Sequence, residues 1–117
     1  MNNEELQGNL LGQPQTILKF ETDYIVLSKD YADHIREMND IKAHVDADVA
    51  SNKALKNVDE RKMSTLSQLD ADKRYQELKK ATPDEDLAIK KLFAKIRFER
   101  DMLEVYQTIG KMKAGGV

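Results

Sequence analysis

Residues Ile17–Leu55, ILKFETDYIVLSKDYADHIREMNDIKAHVDADVASNKAL, decide the fold class. Heptads counted from Ile17 put Ile17, Tyr24, Tyr31, Met38, Val45 and Asn52 at a, and Phe20, Leu27, His34, Ile41, Asp48 and Leu55 at d. Nine of these twelve residues are apolar, and no Gly or Pro interrupts them. Alternating steps of three and four trace one face of an α-helix, so the stretch reads as an amphipathic helix of about 60 Å at ~1.5 Å per residue. A stripe of that length needs long partners, from this chain or another.

The rest of the chain supports an all-α reading. Residues 16–109 contain one proline and no glycine, so little punctuates short strands. Apolar residues make up 40% of the 117 and charged residues 34%, a balance too apolar for disorder and suited to charge-faced helices. The absence of cysteine excludes disulfides, thiolate metal sites and a cysteine nucleophile. The longest apolar run of the helical region, Tyr24–Leu27, is far too short to span a membrane, so no membrane partner is expected. The start, MNNEELQG, is acidic where a secretory signal is basic and then apolar.

Upstream of Ile17, residues 1–15 hold Gly8, Gly12 and Pro14 among amides and read as a flexible leader, with Thr16 as the helix cap. Downstream, the heptad weakens from His34, where Ile35 and Val49 take over part of the stripe. That drift favours a packed bundle over a coiled-coil seam. Asp48, Ser51 and Asn52 mark the first turn, with a helix continuing toward Leu69 as the competing reading. A second segment, 54–81, changes phase near Leu69–Asp72, where Asp70 or Asp72 can cap a new turn. Thr82-Pro83-Asp84-Glu85-Asp86 then has a capping Thr, a Pro at the first helical position and a Glu three residues after the cap. A third helix is therefore expected from 83 to 113, followed by a tail at 114–117. The expected architecture is an elongated antiparallel three-helix bundle, or a helical hairpin with coiled-coil-like packing, forming one domain over 16–113.

The third helix carries two apolar stripes. One is Ile89, Leu92/Phe93, Ile96, Leu103 and Tyr106. The other is Phe98, Met102, Val105, Ile109 and Met112, at steps of four, three, four and three. Together they exceed what one neighbouring helix can cover, so the second stripe is the candidate interaction surface, for a homo-oligomer or a protein partner.

Catalytic and cofactor signatures are missing. There is no Gly-x-Ser-x-Gly, no phosphate-binding glycine loop and no dinucleotide fingerprint. His34 and His44 have aspartates at i±4, but the Glu-x-x-His pattern of helical di-iron sites and His-Glu-x-x-His are both absent. The expectation is a non-enzyme without metal or cofactor. Nucleic acid is the competing partner class. Residues 88–117 hold seven basic and three acidic groups, against six and ten in residues 1–57. Lys90, Lys91, Lys95, Arg97, Arg100, Lys111 and Lys113 have the charge to meet phosphates, with Phe98 or Tyr106 as stacking groups. Interleaved Glu99, Asp101 and Glu104 weigh against that reading.

A long first helix, a charged link around Tyr75 (ADKRYQELKK), the acidic TPDED and a basic, apolar C-terminal helix form a layout that resembles small phage recombination mediators. The likeness covers most of the chain as an order of elements and carries over no individual residue. It implies a helical oligomer that helps load a recombinase onto single-stranded DNA, working as a phage accessory protein in the host cytoplasm or the virion. Without it, the plain expectation is a cytoplasmic helical adaptor.

Overall fold

A computed structural model describes residues 1–115, and among them the fold is all-α, with three helices and no strand. Helix α1 spans Asn3–Ser51, α2 Val58–Ala71 and α3 Lys73–Ala114. Gly115 forms a turn after α3, and the last two residues of the expected tail lie outside the described residues.

Three boundaries differ from the sequence expectation: α2 begins at Val58 where 54 was expected, and the other two differences involve a proline inside a helix. The leader is helical: α1 begins at Asn3 and runs through Pro14. Asn2 is its cap, with Oδ1 accepting from the Glu5 backbone N–H at 2.8 Å while Asn2 Nδ2 donates to Glu5 Oε1 at 3.2 Å. Leu6 and Ile17 are buried, with Leu10 and Gln13 half-buried between them. These four continue the three–four spacing backwards from Ile17. An internal proline costs about 3 kcal/mol through its lost N–H and ring clash. Burial returns roughly 1.5–3 kcal/mol for each fully buried Leu or Ile, so the packed face outweighs Pro14, which sits on the exposed side.

The second correction concerns Thr82–Asp86. It does not start a helix, because Pro83 lies inside α3. Thr82 is buried, and its Oγ1 donates to Met38 Sδ at 3.9 Å instead of capping a backbone N–H. The start is at Asp72, whose Oδ1 accepts from the Tyr75 N–H at 2.8 Å. The Asp72 N–H also donates to the Leu69 carbonyl at 3.2 Å, so this one residue closes α2 and opens α3. The first turn does fall at Ser51–Asn52, with the Asn52 and Leu55 N–H groups bonded back to Val49 and Asn52 carbonyls. Asn57 then caps α2 by accepting from the Glu60 N–H at 2.8 Å.

The chain divides into two compact units. The first holds Met1–Ser28 with the chain from Ala88 onward, and here only α1 and α3 pair. Their rungs run antiparallel: Lys113 Nζ reaches the Met1 carbonyl and Asn3 Oδ1, each at 3.0 Å. Gln13 Nε2 donates to the Glu99 carbonyl at 3.4 Å, Arg100 pairs with Glu21, and the Tyr24 and Phe93 rings sit 6.1 Å apart. Leu6, Ile17 and Ile96 are its buried apolar residues. This unit is a two-helix pair, the hairpin packing expected as the alternative; the heptad drift that favours a bundle begins at His34, in the second unit.

The second unit, Lys29–Leu87, brings three helices together. Val45, Val49 and Leu69 form its core, with Ile41, Leu55 and Tyr75 packed around them. Val49 has replaced Asp48 on the buried face, as the drift in the heptad predicts. Leu78 is the most deeply buried large side chain. Here too α1 and α3 run antiparallel, through Met38–Thr82 and His34–Glu85.

Candidate interaction surface

The α3 seam of the first unit is Ile89, Leu92, Ile96, Glu99, Leu103, Tyr106 and Gly110, each buried or half-buried. These positions absorb the first predicted stripe except Phe93, which is half exposed. The second stripe lies beside that seam. Met102 and Ile109 adjoin it and are half-buried, whereas Phe98, Val105 and Met112 sit one step further round and are exposed. Phe98 is 62% exposed and Met112 57%, so nothing among the described residues covers their outer faces.

The neighbouring flank of α1 carries short side chains. Asp23 and Val26 of α1 share a cleft of about 510 Å³ with Ala88, Lys91 and Lys95 of α3, which identifies the flank. Two and four turns upstream along the same α1 flank stand Thr16 and Asn9, with Gly12 between them. A Cβ placed on Gly12 would meet nothing within 4 Å. The stripe on α3 thus borders a flank of α1 that carries Asn9, Gly12 and Thr16.

A further apolar line was not anticipated from the sequence. Leu11, Leu18 and Ile25 are exposed at steps of seven along α1. Their heptad spacing is the signal that identifies them, because residues seven apart share a helix face.

The predicted basic residues do not converge. Lys113 is bound to Met1 and Asn3, Arg100 to Glu21, and Lys95 Nζ lies 5.9 Å from the Phe20 ring centroid. Lys90 also has a partner. Lys91, Arg97 and Lys111 remain; Arg97 and Lys111 lie fourteen residues apart on one face of α3 with Glu104 midway between them, and Lys91 lies off that line. Of the stacking candidates, Tyr106 is half-buried in the seam and Phe98 alone is exposed.

Neither histidine joins a metal-like cluster; among the described residues no three His, Asp or Glu side chains are placed to hold an ion. His34 Nδ1 instead sits 2.7 and 2.9 Å from the two Glu85 carboxylate oxygens, in the α1–α3 seam of the second unit. An ionised carboxylate only accepts, so the geometry places a proton on Nδ1. The Arg74 guanidinium forks onto Glu37 at 2.7 and 2.9 Å. This bidentate pair holds the Glu37 carboxyl below its ordinary value and raises Arg74 further. Both pairs are complete within the chain. No described helix is long and apolar enough to cross a membrane. No protein-family model, curated protein or solved structure matches the chain.

Proposed function

We propose that this chain is a non-enzymatic oligomerising or adaptor protein that works through Phe98, Met102, Val105, Ile109 and Met112. One observation carries the reading: a regularly spaced apolar stripe beside the α1–α3 seam, exposed at Phe98, Val105 and Met112. Contiguous apolar surface of this kind on a small domain marks a contact site. Beside it, Gly12 of α1 has open space where a Cβ would stand, and helix-in-groove docking uses this spacing of anchors. A second copy of the chain is the simplest occupant, giving a homo-oligomer in which the two-helix pair gains further helices.

Light scattering across a concentration series tests the proposal. The wild-type chain should exceed monomer mass, and Phe98→Glu with Val105→Glu should return it to monomer with helicity unchanged. Met102→Ser with Ile109→Ser should weaken association in the same direction. A wild-type chain that stays monomeric and captures no partner overturns the reading. A mediator-like role on single-stranded DNA predicts instead a salt-dependent shift weakened by charge reversal at Lys91 and Arg97; the commitments of Lys95, Arg100 and Lys113 favour the protein-contact reading.

A further inference from the structure

Helix α2 is anchored at one end only. Leu69 is buried against Val45 and Val49, whereas Val58, Met63 and Leu66 are each more than half exposed. The helix is nonetheless well formed, with side-chain capping at Asn57 and closure at Asp72. Between it and the Lys42–Ala50 segment of α1 lies a cleft of about 650 Å³. Val49, Leu69 and Tyr75 form its floor, and Val58 and Leu66 its α2 wall.

The rim is charged and unbalanced. Lys42, Arg61 and Lys62 stand there against a single acid, Asp46. Among the described residues, none of these three cations uses its side chain in a hydrogen bond or ion pair. Uncommitted cations around an apolar floor complement a ligand with apolar groups at its centre and carboxylates at its edges. The trough is open along the surface, so it receives side chains from a segment lying across it. A small molecule would need most of its surface enclosed.

We propose that the α1–α2 cleft is a docking site for an acidic amphipathic segment of a partner protein. Its apolar side chains enter between Val49, Leu66 and Leu69, and its carboxylates meet Lys42, Arg61 and Lys62. The proposal concerns the second unit alone and involves no residue of the α3 stripe, so either can fail without the other.

The test is fluorescence anisotropy with the full chain. The probe is a labelled, end-capped, helix-forming peptide about as long as α2, with leucines at i, i+3 and i+7 flanked by glutamates; a second peptide carries lysine in place of each glutamate. The acidic peptide should bind saturably and weaken with salt, and the basic one should not bind. Arg61→Glu with Lys62→Glu, and separately Leu66→Asp, should each weaken binding about tenfold or more. All three sites are exposed, and circular dichroism verifies that each variant keeps its helicity. Absence of saturation by ~1 mM acidic peptide, where binding would carry about 4 kcal/mol, overturns the proposal. So does equal binding of the basic peptide, or indifference to both sets of substitutions. A wild-type dimer abolished by Leu66→Asp would assign the cleft to a second copy and would equally overturn it.

Discussion

Gly110 offers the most direct test of the pairing in the first unit. It lies in the α3 seam opposite Leu6 and Leu10, residues the sequence reading placed in a flexible leader. A Cβ added there would sit 3.8 Å from Leu10 Cδ1 and 3.9 Å from Leu6 Cδ2, ordinary van der Waals contact without a clash. Replacing glycine with alanine inside a helix gains about 0.8–1.0 kcal/mol of propensity. Partial burial of the new methyl adds a fraction of the ~0.8 kcal/mol for a fully buried CH₂. Gly110→Ala should therefore stabilise the chain by roughly 1–1.5 kcal/mol. Gly12→Ala is the control: its Cβ meets nothing within 4 Å, so it should gain only the propensity term. Gly110→Leu should reverse the sign, because a longer side chain must displace Leu6 or Leu10, a cost of about 1–3 kcal/mol. Urea unfolding followed at 222 nm reads all three, and each kcal/mol corresponds to a melting shift of roughly 4–8 °C. If Gly110→Ala stabilises less than Gly12→Ala, or if Gly110→Leu is tolerated, then Leu6 and Leu10 do not face Gly110 and the first unit is paired differently.

Asp72→Ala should cost about 0.5–2 kcal/mol, because the Tyr75 N–H loses its acceptor. Hydrogen exchange should localise the loss to the first turn of α3. His34→Leu alone leaves Glu85 half-buried without its donor and should destabilise by roughly 1–3 kcal/mol. Adding Glu85→Leu should restore most of that loss, since paired apolar residues suit a seam position, and a double-mutant cycle measures the recovery. Glu37 adds a pH dependence. Its carboxyl is held below the ordinary value of 4.5 by the Arg74 hydrogen bonds, so the pair's contribution is full above that value and fades as pH falls through the lowered one. The stability gap between wild type and Glu37→Gln should be constant near neutrality and close in acid; a gap that widens on acidification contradicts the sign.

Much of this architecture was legible in the residues. The Ile17–Leu55 pattern predicts α1, the polar Asp48–Asn52 segment its end against a helix continuing toward Leu69, and Asp70 or Asp72 a new cap, of which the structure uses Asp72. What misled was local punctuation. Pro14 and Thr82-Pro83 carry strong boundary signals, yet each proline sits on the exposed side while neighbours on the buried side continue the three–four spacing. The Asn2/Glu5 capping pair and the phase of Leu6, Leu10 and Gln13 were available as counter-evidence, but they gain weight only once α3 is known to lie against them. The α3 stripe was readable as an excess of apolar residues. Its exposure was not, because periodicity says which residues share a face and never which face is covered.

The sequence alone therefore determined the class of the protein: helical, without cysteine chemistry, and with more apolar helix surface than its helices require. Those properties follow from composition and spacing, which act locally. Tertiary structure decided the rest, including which stripe of α3 is buried, that both prolines are carried inside helices, and that α2 stands off α1 beside an open, cation-rimmed cleft. Each of these is a competition between a local cost of a few kcal/mol and burial summed along a helix, and only the partner across the seam settles such a sum.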